Sequence, residues 1–116
     1  MVSFVKSVTF DCAEPLRVAA FWADALGSNV DEDSTQDKAW VEPAGWGGPS
    51  LWFQRVPENK VAKNRQHFDL RVVGDVPSEV RRLTDLGARL LRDDHGQIVM
   101  ADPEGNEFCV FTRPEI

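Results

Sequence analysis

The chain has 116 residues, a formal net charge of −6 and 42% hydrophobic residues. That length fits one domain, and the apolar content is sufficient for a core. The acidic balance, with a pI of about 4.8, argues against nucleic-acid binding, which needs a basic surface, and against anionic membranes. No apolar run approaches the roughly 20 residues of a membrane span. We therefore expect neither a nucleic-acid nor a membrane partner.

The N-terminus and the cysteines indicate a cellular compartment. Residues 1–6 lack the apolar centre of a signal peptide, so a cytoplasmic location is expected. Cys12 and Cys109 are the only cysteines. In a chain without an export signal they are expected to be free thiols.

The first half of the chain reads as a strand, a helix and three strands. Residues 7–13 are rich in strand formers, and Pro15 suits the first turn of a helix. Apolar residues at helical spacing continue to Leu26, and Gly27 suits the C-terminal stop. Strands are predicted over 29–33, 38–42 and 50–56. A polar, basic linker follows over 58–66.

The second half repeats this order. A strand is predicted over 67–73, and Pro77 and Gly87 open and close a helix. Three strands follow, over 88–92, 97–101 and 107–113. Each half is therefore predicted to have the order βαβββ.

The two halves also share sequence, at an offset of about half the chain. Three pairs of segments correspond: 9–11 with 67–69, 39–45 with 99–105, and 51–58 with 108–115. Such self-similarity indicates a repeated structural unit. We predict an α+β fold of two tandem βαβββ modules, 1–58 and 65–116, within one domain over 1–116. The modules are expected to form a curved mixed sheet around a cleft, with the helices on the outer face.

Strand alternation assigns the residues of this sheet to two faces. One face is almost purely apolar and is expected to lie beneath the helices; it includes Cys12. The other combines polar and aromatic groups, which suit the wall of a ligand cleft. Its predicted ligand-binding residues are Thr9, Asp11, Trp52, Gln54, His67, Asp69, Cys109 and Phe111. The alternative is that these residues face solvent or a partner subunit.

The paired βαβββ units resemble the vicinal oxygen chelate superfamily, which includes glyoxalase I, extradiol dioxygenases and the bleomycin- and fosfomycin-resistance proteins. Residues 102–108, Asp-Pro-Glu-Gly-Asn-Glu-Phe, look like the superfamily's Asp-Pro-x-Gly-Asn signature before the last strand. The stretch from Val56 through Lys63, Asn64 and Arg65 to Asp69 is similar to a glyoxalase-like subgroup of bacterial proteins. The resemblance covers essentially the whole chain.

The resemblance implies where metal ligands would lie. Metal-binding members place His and Glu on the first and last strands of each unit. His67 falls on one such position, whereas Thr9, Trp52 or Gln54, and Cys109 occupy the others. The expectation is therefore a protein without the usual metal and with no cofactor. The alternative is an unusual divalent-metal site in which His67 is joined by Gln54, Asp11, Asp69 or Cys109.

Acid–base chemistry has three candidates, Asp11, His67 and Asp69. Asp11 and Asp69 occupy matching positions of the two units. If they lie close together they could form a paired-carboxylate site. Otherwise they are expected to bond backbone amides or nearby arginines.

Two loops carry further predictions. The glycine-rich segment 45–48 is interpreted as a loop over the cleft, with Trp46 as a lid contact. His95 is placed in a solvent-exposed turn.

The leading hypothesis is a small-molecule binding protein of this superfamily, either a sequestering protein or an enzyme without the usual metal. One alternative is a metal-dependent lyase, isomerase or dioxygenase using His67 with non-standard ligands. Another is a dimeric interaction module with an occluded cleft. A homodimer is expected in any case, because sheet edges need covering. Four Trp and seven Phe also suggest aromatic surface left for a partner.

Overall fold

The structure is a computed structural model that describes residues 2–45, 47–94 and 97–111. The chain divides into two compact units, residues 1–60 and 61–116. Within the described residues, each unit contains one helix packed on one sheet. Among the described residues, no helix is long and apolar enough to cross a membrane.

Unit 1 has a three-stranded mixed sheet. Its elements are β1 (Ser7–Cys12), α1 (Pro15–Leu26), β2 (Lys38–Val41) and β3 (Ser50–Arg55). The strand order is β1-β3-β2, with β1 parallel and β2 antiparallel to β3.

The strand predicted over 29–33 is reduced to a single bridge between Val30 and Val41. The Asp31 carboxylate accepts a hydrogen bond from the main-chain N–H of Asp33 at 2.9 Å. This local turn competes with strand pairing, because it engages a backbone donor that a ladder would need.

Helix α1 begins and ends as predicted. Pro15 stands in its first turn, where a missing N–H costs nothing. Gly27 follows the last turn with φ of 68°, a left-handed conformation that glycine adopts without steric penalty. The helix packs on β2 and β3 through a buried face that includes Val18, Ala19 and Trp22.

Unit 2 has a four-stranded mixed sheet. Its elements are β4 (Phe68–Arg71), α2 (Val76–Leu86), β5 (Arg89–Asp94), β6 (Gln97–Ala101) and β7 (Glu107–Phe111). The strand order is β4-β7-β6-β5, and β4 is parallel to β7. Strand β4 is shorter than predicted, because the chain turns at Gly74, whose φ is 117°.

Helix α2 begins one residue earlier than predicted. Asp75 is its N-cap, and its carboxylate accepts hydrogen bonds from the N–H and the hydroxyl of Ser78 at 2.9 and 2.6 Å. Sequence analysis identified Pro77 but missed this Asp-x-x-Ser cap.

The last-strand residues of the predicted apolar face are buried in both units, whereas first-strand residues such as Phe10 and Phe68 are half-buried. Phe53, Phe108 and Val110 have no exposed surface, and Leu51 and Cys12 are 4% and 5% exposed. These residues alternate with polar-face positions along their strands, as expected for a half-buried sheet. The α+β fold with two βαβββ-like modules is confirmed.

The register between first and last strands corrects the predicted alignment of the repeat. Phe10 pairs with Phe53 in unit 1, and Phe68 pairs with Phe108 in unit 2. Since Phe10 corresponds to Phe68, Phe108 corresponds to Phe53 rather than to Leu51. Cys109 is therefore the counterpart of Gln54. The face assignment is unchanged, because the correction is two residues and strand alternation has a period of two.

Replacing Asp75 with Ala should lower the thermal unfolding midpoint at neutral pH, because α2 loses its N-cap. The pKa of Asp75 lies below its ordinary 3.8, because the Ser78 side chain and then its main-chain N–H donate to the carboxylate. A lowered folded-state pKa stabilises the fold above the unfolded value, and this stabilisation is lost as pH falls through the folded value. The difference between wild type and variant should therefore shrink below pH 3.8.

Thermal unfolding followed by circular dichroism across this pH range measures that difference. Asp85→Ala, an exposed change in the last turn of the same helix, is the control and should show no such convergence. A difference for Asp75→Ala that stays constant into acid would contradict the capping role.

Candidate functional site

The polar face of unit 1 brings four predicted residues together. In the parallel pairing of β1 and β3, Thr9 lies opposite Trp52 and Asp11 lies opposite Gln54. Partners in register point to the same face of a sheet. The Gln54 side-chain amide donates to the Asp11 carboxylate at 2.7 Å. Asp11 and Gln54 therefore form a polar pair at one end of β3.

Two tryptophans form a flat aromatic surface on this same face. Trp40 lies opposite Trp52 in the antiparallel pairing of β2 and β3. The ring centroids are 4.5 Å apart at an interplanar angle of 11°. Both residues are half-buried. We call Trp40 and Trp52 the aromatic platform.

The aromatic platform is fixed by polar neighbours. The Trp52 indole N–H donates to the Ser50 hydroxyl at 3.2 Å. The Lys6 ammonium lies 5.8 Å from the centroid of the Trp52 ring, within range of a cation–π attraction. Sequence analysis missed Trp40 and Lys6. The signal for Trp40 was its position between Ala39 and Val41, which are buried on the opposite face.

Trp40 is also hydrogen-bonded to a pair of carboxyl groups, Asp31 and Glu42. A hydrogen bond between these two carboxyls lowers the pKa of Asp31 and raises the pKa of Glu42. Glu42 is therefore the first of the two to take up a proton as pH falls.

The polar face of unit 2 gathers three potential ligand atoms. Asp69 lies opposite Cys109 in the parallel pairing of β4 and β7. His67 stands one residue before β4, and its Nδ1 is 3.2 Å from Asp69 Oδ1 and 4.0 Å from Cys109 Sγ. The three ligand atoms lie within 4.8 Å of one another. We call His67, Asp69 and Cys109 the donor cluster.

The donor cluster has a buried base and an open rim. Cys109 is 5% exposed, whereas the side chains of His67 and Asp69 are 45% and 48% exposed. The Gln97 side-chain amide donates to Cys109 Sγ at 3.2 Å. Sequence analysis missed Gln97, which neighbours Cys109 only through the pairing of β6 with β7.

The geometry of the donor cluster distinguishes two kinds of chemistry. In a cysteine–histidine–aspartate relay, thiol and carboxylate occupy opposite ring nitrogens of the histidine. Here both approach Nδ1. Donors that converge on one point are instead what a metal ion requires. The arrangement therefore fits cation binding better than proton relay.

The turn before β7 holds the chain that leads to His67. The buried Asp102 carboxylate accepts hydrogen bonds from the main-chain N–H groups of Glu104 and Asn106, each at 2.9 Å. Asn106 in turn accepts a hydrogen bond from the Asn64 side chain at 2.8 Å. The signature turn therefore ties the segment before β4 to the start of β7. The tie is made at Asn64, three residues before His67.

The remaining candidates are placed separately. Phe111 is half-buried at the end of β7, opposite Arg71. Asp11 bonds Gln54 within unit 1, and Asp69 contacts His67 within unit 2. The proposed pairing of Asp11 with Asp69 stays a prediction. Trp46 and His95 lie outside the described residues.

Comparison with a family model identifies the chain. The glyoxalase-like domain model matches residues 7–111, which include every strand and both helices. The chain belongs to the glyoxalase-like domain family. The resemblance to the vicinal oxygen chelate superfamily is confirmed. No curated protein sequence matches this glyoxalase-like protein significantly.

Solved structures share its fold at low sequence identity. A possible glyoxalase from Bacillus cereus is 16% identical with a TM-score of 0.73, covering 95% of this chain and 99% of that chain. A glyoxalase/bleomycin resistance protein/dioxygenase family enzyme from Burkholderia phytofirmans is 16% identical with a TM-score of 0.68, covering 93% and 97%. A mutant of the fosfomycin resistance protein FosX from Listeria monocytogenes, complexed with Mn(II) and 1S,2S-dihydroxypropylphosphonic acid, is 13% identical with a TM-score of 0.70, covering 98% and 93%.

The residues of this glyoxalase-like protein do not match the His and Glu ligands that the superfamily resemblance implies. In unit 1, Thr9 and Gln54, the counterparts of His67 and Cys109, supply neither an imidazole nor a carboxylate. In unit 2, the donor cluster is a different set, since it contains a thiol in place of a glutamate. The donor cluster includes both Asp69 and Cys109, which sequence analysis names only as two of four alternative partners of His67.

Replacing Asn106 with Ala should lower the free energy of unfolding by about 1–3 kcal/mol, the usual cost of leaving buried hydrogen-bonding groups unsatisfied. Asn106 is 4% exposed, and its loss leaves Asp102 and Asn64 without this partner. Urea denaturation measures the change. Asn64→Ala, at a half-exposed position, should cost less. Equal losses for both variants would show that the Asp102–Asn106 bonds contribute little.

Proposed function

We propose that this glyoxalase-like protein binds a small organic molecule, and that the aromatic platform is part of the binding surface. The observation that carries the proposal is the stacked, half-buried pair Trp40 and Trp52 on the sheet face opposite α1. Two large aromatic rings held flat beside polar groups are poor core material and suit a ligand-binding surface.

The groups around the aromatic platform indicate a ligand class. The stacked rings favour a planar or apolar ligand body. Lys6 supplies a positive charge, and the Asp11–Gln54 pair supplies hydrogen-bonding groups at the far end of β3. A planar organic molecule with an anionic substituent fits these features. The FosX complex supports a small-molecule role more generally, since that relative holds a small phosphonic acid.

The other predictions about this protein stay proposals. They are the ligand cleft, the single domain over 1–116 with modules 1–58 and 65–116, and the cytoplasmic location. Binding without a metal held by the superfamily's usual ligands is proposed because Thr9 and Gln54 occupy two of the four ligand positions. The interaction-module alternative predicts a dimer in which no small molecule binds.

Trp52→Ala tests the binding role. A ligand identified by thermal-shift screening should bind the variant about tenfold more weakly, which corresponds to about 1.4 kcal/mol of lost aromatic contact. Trp52→Phe should recover part of this loss. Leu16→Ala, an apolar change on the exposed side of α1, is the matched control and should bind as wild type does. Isothermal titration calorimetry provides the affinities.

A different outcome would assign Trp52 to the core. Truncating a buried aromatic residue usually lowers the free energy of unfolding by about 3–5 kcal/mol. If Trp52→Ala causes a loss of this size and no ligand is found, the aromatic platform is a packing feature. The binding proposal is then wrong.

A homodimer is also proposed, now on different grounds. Among the described aromatic residues, only Phe4 is exposed, at 86%. The predicted aromatic surplus therefore gives little support. The N-terminal segment gives more, because Val2 and Val5 are 97% and 69% exposed beside Phe4. We propose that these exposed apolar side chains meet a second copy of the chain.

Sedimentation equilibrium at micromolar concentration should report about twice the chain mass of 13.0 kDa. Phe4→Asp should shift the equilibrium towards monomer, whereas Val73→Asp, at a 91% exposed position in unit 2, should not. A monomer across the whole concentration range would rule out the dimer.

A further inference from the structure

We propose that the donor cluster of His67, Asp69 and Cys109 binds a borderline-soft divalent cation of the zinc class, with Cys109 as a thiolate ligand. Every donor of the proposed site belongs to unit 2, whereas the aromatic platform belongs to unit 1. It also differs from the ligand set that the superfamily resemblance implies, which contains no thiol.

The distances within the donor cluster suit one shared ion. In zinc sites the metal–ligand bonds are about 2.0–2.3 Å, which places neighbouring ligand atoms about 3–4 Å apart. His67 Nδ1 is 3.2 Å from Asp69 Oδ1 and 4.0 Å from Cys109 Sγ. All three ligand atoms lie within 4.8 Å of one another, and His67 and Asp69 are exposed, so their side chains have room to adjust around one ion.

The surroundings of Cys109 suit a sulfur that accepts, and the second cysteine shows the contrast. Both cysteines are 5% exposed. Cys12 Sγ donates to the main-chain carbonyl of Gln54 at 3.6 Å, a bond that a protonated thiol makes. Cys109 Sγ instead accepts from the Gln97 amide at 3.2 Å. A hydrogen bond to a ligating sulfur orients it and stabilises its charge, as outer-shell partners of metal sites do.

The donor types select among cations. Mn²⁺, Mg²⁺ and Ca²⁺ prefer carboxylate, carbonyl and water oxygens, whereas thiolate and imidazole favour zinc and similar ions. One thiolate, one imidazole and one carboxylate therefore favour zinc over manganese. Three protein ligands at a partly open rim leave a coordination position for water or a ligand, as in zinc sites that are not purely structural.

Cobalt titration tests the proposal directly. Reduced, chelator-treated protein is titrated with Co(II), whose bonds to thiolate give a charge-transfer absorption in the near ultraviolet. We expect saturation at about one equivalent, displacement of cobalt by Zn(II), and no displacement by Mn(II) at the same concentration. Because thiol and imidazole groups bind metal only in their deprotonated forms, affinity should increase with pH.

Matched variants assign the site to its residues. Cys109→Ser should abolish the charge-transfer band, whereas Cys12→Ser, at the equally buried second cysteine, should keep it. Gln97→Ala should weaken binding about 10- to 100-fold, the usual effect of removing an outer-shell partner. His67→Ala, at an exposed position, tests the site without disturbing the core. Circular dichroism identifies any variant that fails to fold.

The outcomes separate this proposal from the small-molecule one. Trp52→Ala should bind cobalt as wild type does, whether or not a ligand for the aromatic platform is found. The proposal is overturned if no charge-transfer band forms, if the band survives Cys109→Ser, if His67→Ala leaves affinity unchanged, or if Mn(II) binds more tightly than Zn(II).

Discussion

The parallel pairing of first and last strand within each unit determines which side chains can act together. That pairing places Asp11 beside Gln54 in unit 1 and Asp69 beside Cys109 in unit 2. The helix connecting the first strand to the rest of each unit packs on the opposite, apolar face. With one face buried, a register shift of one residue would expose the core and bury the polar groups. The chemistry of both polar faces therefore depends on a register that the apolar core enforces.

Equivalent positions of the two units carry different residues, and the two polar faces therefore differ in chemistry. Thr9 corresponds to His67, and Gln54 corresponds to Cys109. In unit 1 the result is a neutral amide bonded to a carboxylate, next to a pair of stacked tryptophans. In unit 2 the result is an imidazole, a carboxylate and a thiol that approach one another. One backbone pattern thus supports a stacked aromatic surface in one copy and a set of potential metal ligands in the other.

The fold was predictable from the sequence because several independent patterns agree. Strand alternation, the proline and glycine at the ends of α1, and the internal repeat all indicate βαβββ units. The predicted strand over 29–33 failed because the Asp33 main-chain N–H donates to the Asp31 carboxylate instead of to a neighbouring strand. Hydrophobic alternation and strand propensity do not show which acceptor each backbone N–H will find. They therefore cannot predict that a side chain will take the place of a neighbouring strand.

The candidate site was predictable only along single strands. Alternation placed Asp69 and Cys109 on one face, but it does not state which residues of neighbouring strands stand opposite each other. Gln97 and Trp40 were missed for this reason, since each reaches its partner across an antiparallel pair. The missed residues are essential parts of both polar faces. Gln97 donates a hydrogen bond to the buried Cys109, and Trp40 stacks on Trp52 to form the flat aromatic platform. Cross-strand neighbours thus decide whether Cys109 behaves as a small apolar residue, as Cys12 does, or as a ligand.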